Sequence, residues 1–84
     1  MKLWDRFTPR EVEIAELLIK GKPWVDIARE LGMSHRTIKT HSRWMYLKCG
    51  FVDASRLRHI QLVVALVYER WPELNPRIPK KAGP

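Results

Sequence analysis

Glycines at positions 21, 32 and 50 constrain this chain more than any other feature. Each sits just past a stretch whose apolar residues recur with helical spacing, and a glycine there is a helix stop. The chain is thereby cut into short helices, which hold in water only by packing on one another. Thr8-Pro9-Arg10-Glu11 forms a capping box, with Pro9 suited to the first helical position and Phe7 placed as a staple residue. Ile14, Ala15 and Leu18 then give an inner face, and the first helix is predicted over 9–20. Trp24, Ile27, Ala28 and Leu31 share a face and predict a second helix over 24–31. Ser34 is a good N-cap for a third helix over 35–49. On its wheel Ile38, His41, Ser42, Met45 and Cys49 fall on one side, and Arg36, Lys39, Thr40 and Arg43 on the other. Asp53 can cap a fourth helix over 54–70, with Leu57, Ile60, Val64, Val67 and Trp71 as the inner stripe and Pro72 as the stop. No stretch alternates with the period of a strand, and there is no internal repeat or glycine-rich phosphate loop. The expectation is an all-α domain over 1–71, followed by a proline-rich basic tail over 72–84 that is extended.

The length, 84 residues, suits one domain with a small core. The longest apolar run, Leu62 to Tyr68, is seven residues, far short of the roughly 20 that cross a membrane. The N-terminus has no apolar core of a signal peptide. The single cysteine, Cys49, excludes a disulfide within the chain and suits a reducing compartment, so a cytoplasmic location is expected.

Charge gives the first indication of a partner. There are 16 Lys and Arg against 9 Asp and Glu, for a net charge of +7. Residues 1–31 are neutral overall, with six side chains of each sign. Residues 32–60 carry Arg36, Lys39, Arg43, Lys48, Arg56 and Arg58 against Asp53 alone, a net +5. A basic middle on a neutral scaffold suits a polyanion.

Ala28, Gly32 and Ile38 sharpen that reading. A helix-turn-helix needs a small residue where its helices approach, a residue tolerant of positive φ in the turn, and an apolar anchor in the following helix. These three meet those needs at the required spacing, between two amphipathic helices of suitable length.

Phe7-Thr8-Pro9-Arg10-Glu11, continued by Glu13-Ile14-Ala15-Glu16-Leu17-Leu18 and Gly21, resembles the first helix of LuxR/GerE-type DNA-binding domains. Ile27-Ala28, Leu31-Gly32, Ser34 and Arg36-Thr37-Ile38-Lys39-Thr40-His41 resemble their helix-turn-helix, and Lys48 with Gly50 continues it. The likeness spans about residues 7–67. It implies a four-helix bundle of the winged-helix-like superfamily without a wing, whose third helix enters the DNA major groove and whose fourth often pairs with a second copy. Such domains usually end larger regulators, and a chain this short resembles the stand-alone arrangement. Trp44 takes a position that is usually polar, Ser42 one that is often apolar, and Cys49 that of a leucine.

The resemblance makes Lys39, Thr40 and Arg43 the expected base-reading residues. Lys39 and Arg43 suit guanine O6 and N7, and Thr40 a thymine methyl. Ser34, Arg36, Thr37 and Lys48, with Lys20 and Lys22 ahead of the second helix, are expected at phosphates, which position the helix without reading sequence. Leu62 and Leu66 form a second apolar strip opposite the expected inner stripe, and a homodimer through that strip is expected. The alternative is that Leu3-Trp4 or the tail covers it. His35, His41, His59 and Cys49 lack metal-ligand spacing, and no nucleophile has a partner that activates it. The chain is therefore read as a non-enzymatic regulator of transcription without metal, cofactor, small-molecule ligand or membrane, nucleoid-associated when bound to DNA. A protein-interaction module that docks RNA polymerase or another regulator through Trp24, Trp44, Leu47, Leu62 and Leu66 is the rival.

Overall fold

The computed structural model describes residues 2–51 and 57–76, and among them all regular structure is helical. The α-helices are α1 (Pro9–Leu18), α2 (Trp24–Glu30), α3 (His35–Lys48) and α4 (Arg58–Arg70), flanked by short 3-10 helices at Leu3–Arg6 and Pro72–Leu74. The helices end within a few residues of their predicted bounds. Asp53, expected to cap the fourth, lies outside the described residues.

The start of α1 follows from its box. The Glu11 amide donates to Thr8 Oγ1 at 3.2 Å, and the Thr8 amide donates to Glu11 Oε1 at 2.9 Å. Beyond it Ile14, Ala15 and Leu18 face a core completed by Ile27 and Ala28 of α2, Ile38, Met45 and Tyr46 of α3, and Leu62 and Leu66 of α4. Each large apolar side chain removed from water here contributes roughly 1.5–3 kcal/mol before the entropy of ordering is subtracted. Tyr46 was not among the residues expected inside. Its ring is buried and makes an edge contact with Trp24 at 6.2 Å, which anchors the uncapped start of α2.

Helix α4 is turned half round from its expected orientation. Leu62 and Leu66 are 0% exposed, whereas Leu57, Ile60, Val64 and Trp71 face solvent. Leu62 and Leu66 are thus core residues, which withdraws them as a dimer surface and from the rival docking surface. The error has a physical source. Residues 62–68 are apolar without a break, so periodicity cannot fix which side faces inward. Contacts distant in sequence fix it instead. The amides of Leu3 and Trp4 donate to the two carboxylate oxygens of Glu69 at 2.7 and 3.0 Å, and Trp4 Nε1 donates to the Leu66 carbonyl at 3.1 Å. Arg70 stacks on the Trp4 ring at 3.8 Å and pairs through both terminal nitrogens with Glu16 of α1. Those hydrogen bonds from Arg70 hold the Glu16 carboxyl below its usual range.

The expected extended tail begins otherwise. Pro72–Leu74 is a 3-10 turn, and Asn75 and Pro76 border a groove with Tyr68, Ala65 and Val64 of α4. Residues 77–84 lie outside the described residues.

Candidate nucleic-acid interface

The unit formed by α2, its turn and α3 is built by backbone bonds. Gly32 has φ +67°, a conformation that strains residues with a Cβ. With it in place the Gly32 amide reaches the Arg29 carbonyl at 3.3 Å and the Met33 amide reaches the Ala28 carbonyl at 2.8 Å. This pair of bonds satisfies the end of α2 and turns the chain toward α3. Ser34 Oγ accepts from the Thr37 amide at 3.1 Å and donates to Thr37 Oγ1 at 2.9 Å. Ile38, 1% exposed, pins α3 into the core close to Ala28.

The outer face of α3 is then determined. Arg36, Lys39, Thr40 and Arg43 are exposed, as are Trp44 and Leu47. Thr40 Oγ1 donates to the Arg36 carbonyl at 3.1 Å, so it offers outward a methyl group and an acceptor oxygen. Ser42 Oγ donates in the same way to the Lys39 carbonyl at 2.7 Å.

Two groups of cations stand out. Arg10 pairs with Glu13, Lys22 with Glu30, Lys48 with Glu11 and Arg70 with Glu16. Arg36, Lys39 and Arg43 have no ion pair among the described residues. The acidic side chains compensate the scaffold and leave the outer face of α3 positive.

Lys48, expected at a phosphate, falls in the first group. Its Nζ lies 2.5 Å from Oε1 of Glu11, whose side chain is buried, and its own side chain is largely covered. Moving the ammonium to DNA would leave a buried carboxylate without its cation, a costly exchange. Lys22 differs because both it and Glu30 are well exposed, and such a pair is worth at most about 1 kcal/mol. Lys20 is exposed at the end of α1.

Two features escaped the sequence reading. Arg58, at the first position of α4, comes back beside α3 and stacks its guanidinium on the Tyr46 ring at 4.4 Å. It had been counted in the basic middle but given no place, since a side chain on the fourth helix is set beside the third only by tertiary packing. His59 packs against Trp24 at 5.4 Å, and its Nδ1 has no hydrogen-bond partner among the described residues. No group of His, Cys, Asp and Glu able to hold a metal occurs among the described residues. No helix there is long and apolar enough to cross a membrane.

A capped, glycine-turned pair of helices that displays a basic outer face defines a helix-turn-helix protein. The family model for bacterial regulatory proteins of the luxR family, GerE, matches residues 5–60, and the chain belongs to that family. A candidate HTH-type transcriptional regulator of Mycobacterium bovis is 35% identical over 54 residues, 64% of this chain and 6% of the relative. A second, from the region 3′ of exeN in Aeromonas salmonicida, is 36% identical over 58 residues, 69% of this chain and 30% of the relative. The chain therefore spans less than a third of the length of these curated relatives. No solved structure gives a significant match.

Proposed function

We propose that the chain is a regulator of transcription that binds duplex DNA sequence-specifically, with α3 in the major groove. The observation that supports this reading is the distribution of charge: among the described residues Arg36, Lys39 and Arg43 stand on one exposed helix face without an ion pair, while Arg10, Lys22, Lys48 and Arg70 of the scaffold are each matched to a carboxylate. An α-helix fits the major groove, which is about 12 Å wide. Lys39 and Arg43 reach base edges there, and Thr40 presents its methyl to a thymine. Arg36, with Ser34 and Thr37 at the first turn of α3, meets phosphates, joined by Lys20 and Lys22 from the α1–α2 corner.

A second copy completes the reading. Ile60 and Val64 are 57% and 39% exposed on the outer side of α4, and Leu57 continues their row. Grooves flank the row, one of about 310 Å³ beside Leu18 and Pro23 and one of about 520 Å³ beside Phe51 and Tyr68. Two such ridges packed about a twofold axis give a dimer that reads two half-sites. This is the α4 dimer expected from the sequence, moved to the opposite side of the helix.

The test is a selected duplex and Arg43→Ala. The variant should lose about 1–3 kcal/mol of binding and relax preference at one base position. Equal loss on every sequence would remove Arg43 from base reading. Trp44 and Leu47, 53% and 48% exposed, keep a protein partner as the second reading. Binding through them would depend little on salt.

A further inference from the structure

A cleft of about 390 Å³ lies between α3 and the first turn of α4, lined by Lys39, Thr40, Ser42, Arg43 and Arg58. Three of these are cations and two carry hydroxyls. No carboxylate lines the cleft among the described residues. Cations that converge without compensation repel one another, and an anion between them removes that cost. Both hydroxyls give their protons to carbonyls of α3, so the hydrogen-bond donors that remain for a ligand are the ammonium and the two guanidinium groups.

Arg58 is held for this task from below. Its guanidinium sits 4.4 Å from the centroid of the Tyr46 ring, and Tyr46 is itself locked in the core against Trp24. Burial pushes the Tyr46 hydroxyl up, so the ring is neutral near pH 7 and its face attracts the cation. Arg58 also opens α4, whose positive end adds to the same field.

We infer that Arg58, supplied by α4 at the edge of this cationic cleft, clamps one backbone phosphate of the duplex in the field of Lys39 and Arg43, whose own contacts are to base edges. The inference rests on the proposed function, which places α3 in the groove. A helix lying in the major groove has base edges on its floor and a sugar–phosphate strand along each wall. Lys39 and Arg43 lie on the helix that faces the floor. Arg58 stands on the neighbouring helix and so meets the wall. An arginine suits that position because its planar fork engages two phosphate oxygens at once.

The experiment uses the full chain, Arg58→Gln and Arg58→Lys. Backbone amide NMR shifts are followed as inorganic pyrophosphate is added at constant ionic strength. Saturable shifts centred on residues 39–43 and 58, lost in Arg58→Gln, support the cleft. Shifts spread evenly over the surface cations, or unchanged in Arg58→Gln, overturn it. Duplex binding is then measured at several salt concentrations. Arg58→Gln should weaken selected and random duplexes by a similar factor, roughly 3- to 10-fold, and lower the salt slope by about 1. Arg58→Lys keeps the charge and should restore the slope. A slope lost equally in Arg58→Lys would assign Arg58 a structural role and overturn the phosphate clamp. The two readings fail separately. A wild-type chain that selects a sequence while Arg58→Gln keeps the full slope defeats the clamp alone. A wild-type chain without sequence preference, with pyrophosphate shifts lost in Arg58→Gln, defeats only the sequence-specific reading.

Discussion

Glu11 is the one buried charged side chain among the described residues, and it decides what Lys48 does. Its carboxylate accepts from the Thr8 amide at the start of α1 and from Lys48 at the end of α3, so one side chain ties two helix ends together. Lys48→Ala should lower stability by about 2 kcal/mol, since it strands a buried carboxylate that was only partly screened by solvent. For a domain of this size that is a fall in Tm of roughly 10 °C by circular dichroism. The salt slope of duplex binding should stay as in wild type. A flattened slope without loss of stability would return Lys48 to the phosphates. Cys49 next to it is also set by burial, which, with the nearby Glu69 charge, pushes its thiol from 9.0 up to about 11. Iodoacetamide should therefore modify Cys49 slowly at pH 8 in the native protein and rapidly in denaturant. The unfolded thiol ionises near pH 9 while the native one keeps its proton to about 11, so stability should fall as pH rises through that interval. At the candidate interface, the exposure of Lys39, Thr40 and Arg43 was legible from the helical wheel because exposure within one helix is a local property. The partners of Lys48 and Arg58 were not, because Glu11 and Tyr46 lie on elements brought near only by the fold.

The helices themselves were legible where their ends carry side-chain or glycine signals. Thr8, Ser34 and Gly32 each act as their chemistry requires, and α1, α2 and α3 stand where those residues put them. Gly32→Ala tests this. A Cβ there meets no atom within 4 Å, so the expected cost of about 1 kcal/mol is conformational, with a fall in Tm of roughly 4–8 °C. A much larger loss would mean that the turn is held by packing instead. Helix α4 shows the limit of such reading. Its expected cap, Asp53, falls outside the described residues, Leu57 at its start offers no capping side chain, and its middle is apolar all round, so neither the end nor the phase could be taken from local pattern. With Ile60 and Val64 outward, Ile60→Glu should abolish the proposed dimer in sedimentation while leaving the helical content of the monomer unchanged by circular dichroism, because that side chain lies outside the monomer's core. Leu62→Ala should instead cost about 2–5 kcal/mol, as expected for a leucine removed from a packed core. If Ile60→Glu left sedimentation unaltered, the α4 ridge would not be the dimer contact.

At the scale of the whole molecule, two properties work together. Four short helices share one core, and the ends of the chain brace it through Trp4, Glu69 and Arg70. Among the described residues the excess positive charge lies on α3, with Arg58 of α4 beside it. The first property makes α3 rigid enough to hold a register, and the second makes it attractive to a polyanion at long range. The all-helical fold and the basic face were readable from glycine placement, capping and charge counts. The side of α4 that faces solvent was not, and with it the place of the proposed dimer. The measurement that bears most directly on DNA reading is selection of bound duplexes from a random pool, followed by affinity for the selected and a scrambled duplex across salt. The account predicts a two-fold symmetric motif, binding that falls steeply with salt, and a selected duplex preferred by at least about 10³-fold. Equal, weak affinity for both duplexes, or binding indifferent to salt, would contradict it.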